Sequence, residues 1–248
     1  MNSIDPVGVR ARFLAAISAV SSDRGRPRQL CEACVQVLAV ARAGIAVQVA
    51  GPGLEKLCAS DAVAQKLEWM QITVGEGPGV DAVVGGGPVL VADLAADSRW
   101  PVFAAEATAL GVGAMYALPL QIGAIRVGVL DLYRDQASTL DSQDFADAVA
   151  VAEVVTALLL SKDQAGRIDE SLGVWWEQPS TTREVHQATG MIVAQLGVSA
   201  REAYVRLQAY AYAHGRLLHD VAHDVVDRRL RFHPDPDPDT DPLTPTTC

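Results

Sequence analysis

Apolar and polar positions change rhythm several times along the chain, and each change marks an element. Val7 to Val20 and Gln29 to Val40 repeat their apolar residues at helical spacing, with Gly and Pro in Arg24–Pro27 separating them. Gly44 to Ala50 is rich in Val and Ile and alternates, which predicts a strand. A less regular stretch runs to Val74, and the cluster Gly75-Glu-Gly-Pro-Gly reads as a turn. Pro88–Ala92 predicts a short strand, Asp93–Arg99 a loop and Phe103–Leu110 a helix. Gly113–Leu120 and Arg126–Tyr133 predict two strands joined by a turn holding Gly123. Asp141 is placed to cap a helix over Ser142–Leu160. That helix is apolar over so much of its surface that a sheet is expected on one side and a second chain at Val155 and Leu159.

Beyond Leu160 the strands stop. Residues 161–179 form a connector that contains Trp175-Trp176. Thr181 with Glu184 predicts a capped helix to Leu196, ended by Gly197. Ser199 with Glu202 predicts a second, ended by Gly215, and Leu217–Leu230 a third. Three helices with connections this short make a small bundle. The expected architecture is α+β: an antiparallel sheet with flanking helices over 8–160, the connector 161–179, an all-α three-helix unit over 180–232 and a disordered tail over 233–248.

Charge sharpens this division. The formal net charge is -10, but residues 1–182 contribute -8, residues 183–233 contribute +2 and the tail -4, and all five histidines lie in 183–233. A basic segment between two acidic ones points to a polyanionic partner. The four cysteines are too few for a disulfide scaffold, and the longest apolar run near Val154–Leu160 is too short to cross a bilayer. No membrane association and a cytoplasmic location are therefore expected.

Candidate chemistry is sparse. No histidine precedes His186, which leaves the first domain without an imidazole for haem. Cys31 and Cys34, with Cys58 in reserve, fall short of a four-ligand metal site and read better as small buried residues. Gly75–Gly79 lacks the Lys-Ser/Thr of a phosphate loop. No nucleophile–base pair stands out, so no catalytic residue, metal or cofactor is assigned. Trp100, Phe103 and Tyr116 are candidates to line a pocket for a flat ligand, or else plain core. In the second predicted bundle helix Arg206, Tyr210 and His214 recur four apart, with Arg216 one turn on. Flat rings beside cations suit unpaired bases and phosphates; the alternative is that Tyr210 is half-buried core and the basic residues are a solvated face. Gly190, inside a helix, costs about 1 kcal/mol against Ala, which asks for a close approach by another helix or by an RNA backbone.

Two resemblances add to this reading. Val185-His-Gln-Ala-Thr-Gly-Met-Ile-Val-Ala-Gln-Leu-Gly-Val-Ser, with Glu202-Ala203, Leu207, Ala211, His214, Leu218 and Val221-Ala222, resembles an ANTAR domain. That resemblance implies a three-helix module that acts as a dimer, binds paired stem-loops in nascent RNA and prevents transcription termination. It implies RNA contact at Gly190, Arg206, Tyr210, His214 and Arg216. Gly75-Glu-Gly-Pro-Gly-Val-Asp-Ala, Arg99-Trp-Pro-Val-Phe, Ala117-Leu-Pro-Leu and Gly128-Val-Leu-Asp-Leu-Tyr resemble a GAF domain, which implies a sensory fold with an unknown small-molecule ligand. The combined expectation is a homodimeric, ligand-responsive RNA-binding antiterminator and not an enzyme. The rival reading is a protein–protein signalling module whose bundle only dimerises. An enzymatic rival, a GAF-type methionine sulfoxide reductase, would need suitably placed cysteines.

Overall fold

The computed structural model describes residues 6–19, 26–48, 53–160 and 180–233. The connector with Trp175-Trp176 and the acidic tail beyond His233 lie outside these residues. The chain divides into two compact units, Met1–Thr182 and Arg183–Cys248.

The first unit is built on five antiparallel strands, β1 (Arg42–Gln48), β2 (Leu54–Ala59), β3 (Val89–Val91), β4 (Ala114–Ile122) and β5 (Ile125–Arg134), in the order β2-β1-β5-β4-β3. Helices cover both faces. On one face α1 (Pro6–Ala19), α2 (Arg26–Val37) and α6 (Ser142–Leu160) pack on Ile45, Tyr116, Leu118, Leu120, Leu130 and Leu132. On the other, α3 (Ala62–Val74), α4 (Pro78–Gly85) and α5 (Pro101–Ala109) pack on Ala46, Met115, Ala117, Val129 and Tyr133. The period of two in β4 and β5 sorts each strand's residues between the two cores.

The helix ends have local causes. Asp61 Oδ1 accepts from Ala64 N at 2.7 Å to start α3, and Gly75 ends it in the left-handed region at φ 73°. Asp141 Oδ1 accepts from Asp144 N at 2.7 Å, as expected for the start of α6. The irregular stretch before Val74 contains β2 and α3, and the expected turn after it contains the start of α4, with Pro78 at its first position.

One expectation is corrected. Val155 and Leu159 are 0% and 2% exposed, inside the domain's own core, and do not face a second chain. Among the described residues, the large apolar side chains left exposed on α1 and α6 are Leu14 and Leu160.

The second unit is made by α7 (Ser180–Leu196, entering the unit at Arg183), α8 (Ala200–Ala213) and α9 (Leu218–Val226). Val185, Ala188 and Ile192 of α7, Ala203, Leu207 and Ala211 of α8, and Leu218, Val221, Ala222 and Val225 of α9 are its buried apolar stripes. Ser199 Oγ accepts from Glu202 N at 3.2 Å, and Gly197 and Gly215 sit at φ 69° and 60° where α7 and α8 end. Glu202 departs from the reciprocal cap expected of it and pairs with Arg206 at 3.1 Å. The third helix stops short of Leu230: Arg228 takes φ 61°, and Arg229 and Leu230 donate back to Asp224 O.

Candidate functional site

In the first unit, polar chemistry concentrates between the sheet and α3. Asp131 of β5 lies directly opposite Gly44 of β1 and Ala117 of β4. Those two small residues leave room above the strands, and α3 fills it with Glu68 and Gln71. A side chain at position 44 would collide with Glu68, and one at 79 would meet Asp131 and Gln71. Tyr133 Oη donates to Glu68 Oε1 at 2.7 Å, Gln71 Nε2 donates to Asp131 Oδ2 at 2.6 Å, and Gly79 N donates to Gln71 Oε1 at 2.8 Å.

Glu68, Gln71 and Asp131 are all at most 2% exposed. Burial pushes the Asp131 carboxyl up to about 7, held back by hydrogen bonding with Gln71 and Glu68. Burial, and then the neighbouring Asp131, raise Glu68 well above the usual carboxylate range. Burial also lowers Lys56 of β2, whose Nζ lies 5.8 Å from the Trp69 ring centre. This cluster was not anticipated from sequence.

The expected pocket trio is divided. Trp100 donates Nε1–H to Asp81 Oδ2 at 3.0 Å and carries the Arg99 guanidinium 4.2 Å from its ring centre. Phe103 is buried in the same core, under α5. Tyr116 points to the opposite face, where its hydroxyl donates to Ser138 O at 2.7 Å. The three rings therefore do not line one pocket. A shallow groove of about 400 Å³ runs beside α5, lined by Leu94, Asp97, Ser98, Pro101, Ala104 and Thr108. A cavity of about 200 Å³ lies on the other face, among Arg12, Leu38, Arg134, Leu140, Asp144 and Asp147.

Cys31, Cys34 and Cys58 are buried in one core, and burial raises Cys31 and Cys34. A thiol raised in this way is a poor nucleophile. Among the described residues no group of three or more His, Cys, Asp or Glu is arranged to hold a metal ion.

In the second unit the expected ridge forms on α8 and the turn after it. Tyr210 and His214 stack with ring centres 3.9 Å apart and planes 17° from parallel. Phe232 meets Tyr210 edge-on at 5.4 Å, and its N–H donates to Gln195 Oε1 of α7 at 2.9 Å. The chain beyond α9 thus returns to the ridge, which the sequence did not announce. Arg206 pairs with Glu202 at 3.1 Å, and Arg216 pairs with Asp224 at 2.7 Å. Asp224 is held below its ordinary range by Arg216 and Arg229. Gly190 lies on the outer side of α7, where a Cβ would meet nothing within 4 Å among the described residues. Packing within the bundle therefore does not account for this glycine.

Residues 28–159 match the GAF domain model and residues 177–226 match the ANTAR domain model. The sheet with its flanking helices thus coincides with the GAF match, and the C-terminal helices with the ANTAR match. The chain belongs to the GAF domain family and carries an ANTAR domain at its C-terminal end. Both are regulatory domains.

No curated protein matches the chain. Among solved structures it is similar to the GAF domain of a phosphoenolpyruvate-protein phosphotransferase from Coxiella burnetii, at 14% identity and TM-score 0.48, over 63% of this chain and 94% of that one. The corresponding Acinetobacter domain is 10% identical with TM-score 0.48, over 64% and 94%. A free methionine-R-sulfoxide reductase from Neisseria meningitidis is 16% identical with TM-score 0.44, over 63% and 90%. Among the described residues no helix is long and apolar enough to cross a membrane.

Proposed function

We propose that this protein is a signal-responsive RNA-binding antitermination regulator: the GAF domain senses a small molecule and controls the grip of the ANTAR bundle on paired stem-loops in nascent RNA. Two stem-loops call for two bundles, so the acting species is a homodimer, and nascent RNA places it in the cytoplasm. The observation that carries the reading is the stacked Tyr210–His214 pair, flanked in the chain by Arg206 one turn before it and Arg216 just after it. Stacked rings extend naturally to an unpaired base, and a guanidinium on either side serves the flanking phosphates. Gly190, bare on the outer side of α7, gives RNA backbone or a partner helix a place to approach. No catalytic role is assigned to any residue. Control of one domain by the other requires a ligand that prefers one of two states of the protein.

Filter binding to a paired-stem-loop RNA tests the reading. Wild type is expected to bind tightly and with steep salt dependence, and a scrambled single-stranded RNA of equal length weakly. Equal and weak binding of both RNAs would favour the second reading, a bundle that only dimerises, for which the exposed Val205 and Tyr212 of α8 offer apolar surface.

A further inference from the structure

The buried cluster over β5 has one gap in its hydrogen bonding. Glu68 Oε1 accepts from Tyr133, and Asp131 Oδ2 accepts from Gln71, which in turn accepts from the first turn of α4 at Gly79. The other two carboxyl oxygens, Glu68 Oε2 and Asp131 Oδ1, are buried and have no partner. The two carboxyls are nonetheless neighbours: Glu68 fills the space over Gly44, which lies directly opposite Asp131, and each acts on the other's proton. Glu68 occupies the space over Gly44, and Asp131 with Gln71 the space beside Gly79, so a Cβ at either glycine would collide with the cluster.

Two ionised carboxylates cannot stay in such a place, because burial penalises each charge and each repels the other. One neighbouring cation lowers Glu68, but by less than burial and Asp131 raise it. Lys56 of β2 is the cation facing Glu68, but it is itself buried, with its ammonium over Trp69. Cys58 of β2 and Cys31 of α2 also face the cluster, and Tyr133 contributes a hydroxyl already committed to Glu68. From α4 comes only the backbone N–H of Gly79, spent on Gln71.

We propose that a single proton bridges Glu68 Oε2 and Asp131 Oδ1, and that gain or loss of protons by this pair changes how α3 and α4 sit on the sheet, which makes the first domain pH-responsive. With the bridging proton on Glu68, the hydroxyl of Glu68 donates to Asp131 Oδ1. One continuous chain then runs Tyr133–Glu68–Asp131–Gln71–Gly79, and every polar atom in it is satisfied. The chain ties β5 to α3 and, through Gln71, to the start of α4. Removing the proton leaves two opposed buried carboxylates, and the cheapest relief is for α3 to lift and admit water. Adding a second proton leaves a hydroxyl without an acceptor in the chain. The pair therefore has one well-bonded state flanked by two poorer ones.

The sign of the linkage is fixed. The folded pair holds protons that the unfolded chain releases at the ordinary values of about 3.9 and 4.3. The pair's contribution to folding is therefore greatest while it holds the bridging proton, and weakens as pH rises through release of that proton from the folded state.

The test uses the full-length protein and Glu68→Gln, an isostere that keeps a donor toward Asp131 and an acceptor for Tyr133. At about pH 6.5, where exposed carboxyls are ionised, wild type should retain an infrared band of protonated carboxyl that Glu68→Gln lacks. Relative to Glu68→Gln, the folding constant of wild type should fall by up to about tenfold per pH unit for each proton released. Exchange of the α3 amides, corrected for its intrinsic pH dependence, should rise across the same range in wild type and not in the variant. If Glu68→Gln does not fold, Asp131→Asn takes its place, and the infrared band of wild type stands as a measurement in its own right. Absence of that band, or its persistence in the variant, overturns the shared proton. Exchange in α3 that is flat with pH in wild type overturns the coupling to helix position.

Discussion

Replacing Gly190 by Ala separates what the bundle needs in order to fold from what it needs in order to bind. Gly190 is the eleventh of the 17 residues of α7 and is absent from the glycines with positive φ, so its backbone is one that Ala adopts freely. A Cβ there meets nothing within 4 Å among the described residues, so no steric cost opposes the gain. The helix-propensity difference then stands alone, a stabilisation of about 1 kcal/mol. For a unit as small as Arg183–Cys248 that corresponds to a rise in Tm of about 4–8 °C. RNA affinity should move the other way. A methyl group placed where a backbone must approach closely is expected to weaken binding at least about tenfold, or 1.4 kcal/mol. Calorimetry and filter binding on one preparation read both quantities. Gly197→Ala is the control with the opposite sign: at φ 69° a Cβ costs about 1–2 kcal/mol, so that unit should melt earlier. A Gly190→Ala protein that melts higher and binds RNA as wild type would remove Gly190 from the interface. One that melts lower would refute the open-face placement itself.

Other expectations follow from the same geometry. Arg206→Ala and Arg216→Ala should each weaken RNA binding and flatten its salt dependence by roughly 0.7–0.9 of a slope unit per lost phosphate contact, while Tyr210→Phe keeps the ring and should be mild; wild-type affinity and slope in both folded Arg variants would move the RNA surface elsewhere. Glu76 Oε1 accepts from Val102 N and Phe103 N at 3.1 and 3.2 Å and so caps α5 from another loop; Glu76→Ala should cost about 1 kcal/mol in urea titration, and no loss would mean the cap contributes nothing. Leu14 and Leu160 are 46% and 38% exposed; changing both to Glu should shift sedimentation toward monomer with the fold intact, whereas Val155→Glu should unfold the domain, and a dimer that survives the double change would place the interface on other residues.

Much of the architecture was legible because its causes are local. Asp141, Ser199, Gly197 and Gly215 mark helix ends by chemistry that acts within a single turn. The spacing of Arg206, Tyr210 and His214 sets three side chains on one edge of a helix whatever that helix packs against. By contrast, α3 hid in an irregular stretch because its buried set includes Glu68, Gln71 and Thr73, so polarity no longer reports which side faces inward. The start of α4 looked like a turn because Gly and Pro begin some helices as readily as they break others. Only the tertiary structure decided the two cores. Phe103 and Tyr116 resemble each other in composition, but the parity of β4 sends Tyr116 to the face opposite Phe103. The carboxyl pair is the strongest case: Glu68 and Asp131 lie on a helix and a strand far apart in the chain, and each alone reads as an ordinary charged residue. Their meeting depends on the register that sets Gly44 against Asp131 and on a helix laid across it, and a shared proton is a property of that meeting rather than of either residue.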